Sequence, residues 1–353
     1  MIDYQADFKV FFIRLILIIL IIPPIIFLYM EYKSDTPINS RQTLISAIDN
    51  KNIFRLRGTI RDIKISQNGK VAYVVASSRG IYILSLQNPL QPKIISQFKY
   101  FKNSYDKARA IELTQDERRL FVRDSMAGVY SIDISNLSEP KLLAVYPKTQ
   151  SISTFSISQE KIYISDDENL TIASIKDFDQ IEVITKYAID KKYFDSIEVK
   201  NELLYLLSSN GIDIMDTSSP KQPKIIKTYS TLGDPQSISI SKDKKVAFIS
   251  SGNNGVEILD IRNKTNPKVI GSFTSSGNIK NTTISKDRKK LYLSNFYNNL
   301  EIVDIEDINH IKSIKQIKDT QSHKKEFWNA TLSSDEKFIY ISYGTLGILI
   351  FSI

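Results

Sequence analysis

The chain has no cysteine, so neither disulfides nor thiolate metal sites hold it together. Its 2 histidines, His310 and His323, are too few for a metal centre built from several imidazoles and leave little acid–base capacity near neutral pH. Blocks of like charge are also missing. The 47 Lys and Arg against 39 Asp and Glu give a net charge of +8 that is dispersed along the chain, so nucleic acid is not the expected partner. Hydrophobic residues make up 42% of the 353 residues and charged ones 24%, a composition that can bury a large core.

Long apolar runs are absent except for one, residues 10–30, VFFIRLILIILIIPPIIFLYM. Arg14 is its only charge and lies close enough to one end to snorkel to lipid headgroups, so the run is expected to span a bilayer as a helix kinked at Pro23 and Pro24. No small-residue cleavage site follows, which favours an uncleaved signal anchor over a signal peptide. A short tail (1–9) precedes the anchor and a polar juxtamembrane linker (31–51) follows it, with a short helix expected over Ser40 to Asp49. A large C-terminal domain behind such an anchor is expected on the extracytoplasmic, periplasmic side, making the chain a single-pass membrane protein.

Beyond residue 51 the sequence repeats. Gly255 to Phe273, GVEILDIRNKTNPKVIGSF, has weaker copies starting at Gly80, Gly128, Asn169, Gly211 and Asn299, and a truncated one, GILIFSI, at Gly347. Successive starts are 48, 41, 42, 44, 44 and 48 residues apart, the period of a four-stranded propeller blade. Ahead of each copy is a short strand-like run closed by a polar turn, such as IELTQDER from Ile111 or ISISKDKK from Ile238. Each repeat therefore reads as four strands joined by polar turns. The final copy lacks a fourth strand, and Asn52 to Thr59, NIFRLRGT, has the composition to supply it. These observations predict an all-β fold: a seven-bladed β-propeller over residues 52–353, closed by an N-terminal strand that completes the last blade, and preceded by one N-terminal transmembrane helix.

Positions within the copies have local reasons. Glycine at the first position suits a turn with positive φ. Asp133, Asp216, Asp260 and Asp304 share one position, with Ser85, Ser174 and Ser352 in the others, where an oxygen can accept turn amide hydrogens. Proline follows in most copies, stiffening the way into the outer strand. The segments GVEILDIRNKTNPKVIGSF and GVYSIDISNLSEPKLLAVY resemble the LVIVD repeat, a β-propeller repeat of bacterial and archaeal surface or exported proteins. That resemblance implies a propeller in an extracytoplasmic setting and carries no catalytic residues with it.

The most unusual residues cluster in segments between blades. Tyr100, Lys102, Tyr105 and Lys107 lie between blades one and two, Lys191, Lys192 and Tyr193 between three and four, and Lys325 and Trp328 between six and seven. Cations interleaved with aromatics suit an acidic protein surface, an anionic polysaccharide or anionic headgroups, and are equally compatible with solvated loops. The consecutive acids Asp166, Asp167 and Glu168 offer calcium ligands, although a solvated acidic turn is the simpler expectation. One tryptophan is too few for a tryptophan-docked quinoprotein propeller. The SKDKK and SKDRK turns lack the closing Gly and Trp of sialidase-type boxes.

No catalytic, cofactor-binding or metal-binding residue is assigned, and no cofactor is expected. The sequence points to a non-catalytic, membrane-anchored propeller that binds protein partners as a scaffold or subunit of a cell-envelope complex. The alternative is an exported enzyme or carbohydrate-binding propeller with a carboxylate-based central site, to be marked by inward-facing acids with shifted pKa values.

Overall fold

The computed structural model describes residues 44–47, 52–99, 107–124, 127–147, 152–189, 194–200, 202–275, 277–296, 299–318 and 327–353. The chain divides into two compact units, Met1–Gln42, outside the described residues, and Thr43–Ile353. The expected anchor at 10–30 therefore lies outside them, and no helix among the described residues is long and apolar enough to cross a membrane.

The second unit is a seven-bladed β-propeller with no α-helix among its described residues. Blades one to six each contain four consecutive antiparallel strands. Blade five is representative, with Ser237–Ile240 innermost, then Val246–Ser250, Val256–Asp260 and, outermost, Lys268–Phe273. In blade seven the three strands Phe327–Leu332, Phe338–Tyr343 and Gly347–Ser352 are joined by Ile53–Phe54, which pairs antiparallel with Gly347–Ser352.

Burial follows position in the blade. Third strands are covered on both sides by neighbouring blades, and Val256, Ile258 and Leu259 are all buried. Outer strands face water, and Ile94, Leu142, Val183, Ile225 and Val269, at equivalent positions, are exposed. Apolar clusters fill the spaces between successive blades. One packs Ile63, Val74 and Leu84 of blade one against Tyr340, Ile348 and Ile350 of blade seven.

The turns bear out the residue-level expectations. Asp133, Asp216, Asp260 and Asp304 accept the amide hydrogen two residues on, at 2.8, 2.9, 3.0 and 3.0 Å. Gly255 has φ +86, and a Cβ there would lie 2.1 Å from the Phe273 carbonyl oxygen, so glycine answers a close approach as well as a turn. Asn169, at the same position in blade three, does not adopt positive φ.

One expectation needs correcting. Within Ser40 to Asp49, Leu44–Ala47 is a strand, not part of a helix, and it pairs in parallel with the outer strand of blade six, Lys312–Lys318. The open edge of an outer strand offers unpaired backbone groups, and satisfying them outweighs the local preference of a short polar segment.

Candidate functional site

The inner strands line a central channel of about 470 Å³. Each strand alternates between side chains wedged among the blades and side chains facing this space. The buried position is occupied by Ile63, Ile111, Phe155, Ile197, Ile238, Thr282 and Ala330. One residue further on, Lys64, Glu112, Glu198, Ser239, Thr283 and Thr331 line the channel as one storey. One residue earlier, Asp62, Thr154, Ser196, Ser237, Asn281 and Asn329 line the storey above. Here "upper" denotes the mouth where the inter-blade segments arrive.

Much of this polar lining is consumed in joining blades. Ser239 Oγ donates to the Thr282 carbonyl at 2.5 Å, Thr283 Oγ1 to Ala330 at 2.7 Å, and Thr331 Oγ1 to Ile63 at 2.9 Å. Asp62 bridges both its neighbours, accepting from Asn329 Nδ2 at 2.6 Å and from the Ile111 amide at 3.0 Å. These bonds link blades five, six, seven, one and two in sequence. A hydroxyl side chain at this position is therefore an inter-blade tie.

The remaining channel charges interact with one another. Lys64 Nζ lies 3.0 Å from Glu112 Oε1. Burial works to lower the Lys64 pKa, but Glu112 and Asp62 outweigh it and hold the ammonium above the ordinary lysine value. Glu198 faces the same storey, with its side chain 33% exposed to the channel and Lys200 Nζ 3.5 Å away. Burial pushes the Glu198 carboxyl up; Lys200 opposes the shift and Glu112 adds to it.

At the upper mouth Trp328 is held between two neighbours. The Arg61 guanidinium lies 4.1 Å from the centre of the indole, and Phe296 meets it edge-on at 5.6 Å. Lys280 donates to Gln236 Oε1 at 2.7 Å and lies 5.7 Å from the Phe296 ring, extending the cluster from blade seven to blade five. Trp328 Nε1 is buried with no hydrogen-bond partner among the described residues. Nearby, burial raises the Asp195 carboxyl pKa against the opposing effect of Lys280.

Of the residues singled out in sequence, Trp328 and Lys107 are described, Trp328 half-buried in this cluster and Lys107 exposed. Tyr100, Lys102, Tyr105, Lys191, Lys192, Tyr193 and Lys325 lie outside the described residues. Asp166 is buried and accepts the amide hydrogens of Glu168 and Asn169 at 2.9 and 2.6 Å, closing its turn, while Asp167 and Glu168 are exposed. Among the described residues no group of three or more metal-ligating side chains forms a cation site. His310 is exposed in a turn and bonds Asp307 Oδ2 at 2.7 Å. Sequence reasoning did not reach Lys64, Glu112 and Glu198. They carry no local signature and become conspicuous only when the seven inner strands are aligned.

Buried carboxylates on the third strands also serve the fold. Glu257 accepts from the Tyr229 hydroxyl, and Glu301 accepts from Ser275 Oγ at 2.5 Å and from Gln316 Nε2 at 3.2 Å. These acids tie third strands to outer strands and inter-blade segments.

Comparison with curated proteins finds no match. Among solved structures, a chain in the crystal structure of a mitotic checkpoint complex is 11% identical with a TM-score of 0.67, covering 87% of this chain and 91% of that one. A functionally unknown protein from Desulfotomaculum acetoxidans DSM 771 is 15% identical with a TM-score of 0.62, covering 78% and 90%. At such identities the similarity is one of fold alone. The LVIVD repeat family model matches residues 120–147 and 232–275, which run through blade two and blade five, so the chain is a seven-bladed propeller carrying LVIVD repeats in those two stretches.

Proposed function

We propose that this protein is a non-catalytic interaction scaffold: a propeller tethered to a membrane through residues 10–30, with its disc on the extracytoplasmic side, serving as a subunit of a cell-envelope complex. The ring is closed by Ile53–Phe54 acting as the fourth strand of blade seven. Supporting this closure, Thr331 and Asn329 bond blade one, and the Ile60 amide donates to the Gly344 carbonyl at 2.7 Å.

The observation that carries the scaffold reading is the Arg61–Trp328–Phe296 stack at the upper mouth. Tryptophan and arginine, held rigid before any partner arrives, are the residue types that dominate protein interfaces, and preorganisation reduces the entropy lost on docking. The inter-blade ties fit the same reading because they make the ring a stiff platform. The similarly folded chain in the mitotic checkpoint complex belongs to an assembly, which is in keeping with such use of the shape.

A second reading, a carboxylate-based central site, has one observation in its favour: the Glu198 carboxyl is shifted upward within a channel that also holds Glu112. The deciding experiment is a mild-detergent pull-down from native membranes with three chains: full-length, Trp328→Ala, and one beginning at Ser34. A stoichiometric partner kept by the first and third and lost by the second supports the scaffold. A partner kept equally by Trp328→Ala removes the upper mouth as its surface. If no partner is found with any chain while Glu198→Gln abolishes binding of a glycan, the second reading takes its place.

A further inference from the structure

The lower mouth, where inner strands turn into second strands, has a chemistry of its own. A recess of about 650 Å³ opens there, and four lysines from three consecutive blades line it: Lys200, Lys242, Lys244 and Lys286. No carboxylate is among its described lining residues. The floor is aliphatic, formed by Leu113, Ile157, Val199, Ile240 and Ile284, one from each of blades two to six.

The SKDKK and SKDRK turns create this arrangement. In each, the serine hydroxyl donates to the aspartate two residues on, Ser241 to Asp243 at 2.7 Å and Ser285 to Asp287 at 2.6 Å. The aspartate is thereby committed to its own turn, and the intervening lysine, Lys242 or Lys286, lines the recess. Carboxylates close by are likewise engaged elsewhere. Asp243 pairs with Arg288 at 2.8 Å, Glu336 accepts the Lys286 amide at 2.7 Å, and Glu117 accepts the Gln67 amide at 2.5 Å. Lys200 shares Glu198 at 3.5 Å, and the Lys286 ammonium rests on the Ser334 carbonyl. Lysines are thus gathered over an apolar floor with no carboxylate among the described lining residues.

Anion size can be judged from the depth of that floor. It occupies one residue level of the inner strands, about 3.3 Å of strand rise, and the next storey up holds Lys64, Glu112 and Glu198. An extended hydrocarbon tail would run into those charges, whereas a single branched side chain fits the level. We propose that the lower mouth binds an acidic peptide segment of a protein partner, seating one aliphatic side chain on the floor while flanking carboxylates meet the lysines.

The test uses the full-length chain and a fluorescein-labelled pentapeptide, Glu-Asp-Leu-Glu-Asp, followed by anisotropy. Binding is expected to weaken about tenfold in Lys242→Ala/Lys286→Ala, since two partly solvated ion pairs are lost. It should also weaken when the peptide leucine becomes serine and fall steeply with added salt. Lys289→Ala, which removes a lysine paired with Glu306 outside the recess, is the control and should bind as the parent does. Unaltered melting temperatures confirm that the variants fold. Four results would each overturn the inference: no binding to the parent chain, equal binding by the double variant, equal binding of the serine peptide, or displacement by inorganic phosphate at concentrations where sodium chloride of equal ionic strength has no effect. The last outcome would identify a simple anion site. None of these outcomes depends on the upper-mouth scaffold reading, which the Trp328→Ala pull-down tests separately.

Discussion

Replacing Gly347 by alanine probes the seam of the ring. Gly347 has φ +121, and a Cβ there would stand 2.1 Å from the Phe54 carbonyl oxygen and 3.0 Å from Arg55 Cα. Reaching an ordinary contact means moving the Ile53–Phe54 strand by about 1 Å. The unfavourable φ costs about 1–2 kcal/mol. Loosening the short pairing loses about one further hydrogen bond, near 1 kcal/mol. The lower entropy of unfolded alanine returns about 0.4–1 kcal/mol, leaving a net loss of roughly 2 kcal/mol. For a body of this size that is a fall in Tm of about 3 °C, measurable by differential scanning calorimetry or urea titration. Gly255→Ala is the internal comparison, with the same 2.1 Å approach to a carbonyl, that of Phe273, inside a blade made wholly of consecutive strands. Equal losses at both sites support a seated N-terminal strand. Should Gly255→Ala prove costly and Gly347→Ala cost no more than its φ, the strand is not held at the seam. If both are neutral, the close-approach argument itself is wrong.

The inter-blade ties make a second expectation: Thr283→Val and Thr331→Val each lose one hydroxyl bond and about 1 kcal/mol, and urea titration should show it. Arg119 is buried and donates to the carbonyls of Ile175 at 2.6 Å and Asp177 at 2.9 Å. Arg119→Met leaves both unpaired and should cost about 3 kcal/mol, and Arg119→Lys should recover only part, because an ammonium cannot reproduce the planar fork. Glu198→Gln should stabilise the fold at pH 7, because a carboxyl whose folded pKa is raised costs stability once pH exceeds its unfolded value. That gain should vanish at pH 4 and below, where the group is protonated in both states; the same gain at both pH values in thermal melts would reject burial as its cause.

The difference between what was legible in the sequence and what was not is one of range. Gly255, Asp260 and the polar turns are read within a few residues, because positive φ, an Asx turn and strand periodicity are local constraints with local signatures. The parallel pairing of Leu44–Ala47 with Lys312–Lys318 joins residues far apart in sequence, and nothing in four residues announces an edge-seeking strand. The channel lies between these extremes. Lys64, Glu112, Glu198, Ser239, Thr283 and Thr331 lie along the chain about one repeat or two apart, yet they occupy one storey because every inner strand enters the ring in the same register. Aligning the repeats in columns would have exposed that storey. The columns also separate structure from chemistry: the buried column keeps one kind of residue in most blades, Ile63, Ile111, Ile197 and Ile238, because each must fill the same wedge. The neighbouring column carries ammonium, carboxylate and hydroxyl in turn. Packing demands the same thing of every blade, so a position that varies from blade to blade answers to a demand that differs around the ring. At the channel storey that demand is partly met by ties between blades. At the lower mouth the variation runs from Gln67, Gln115 and Gln159 to Lys242 and Lys286, and turn closure by the adjacent aspartates does not require a lysine there.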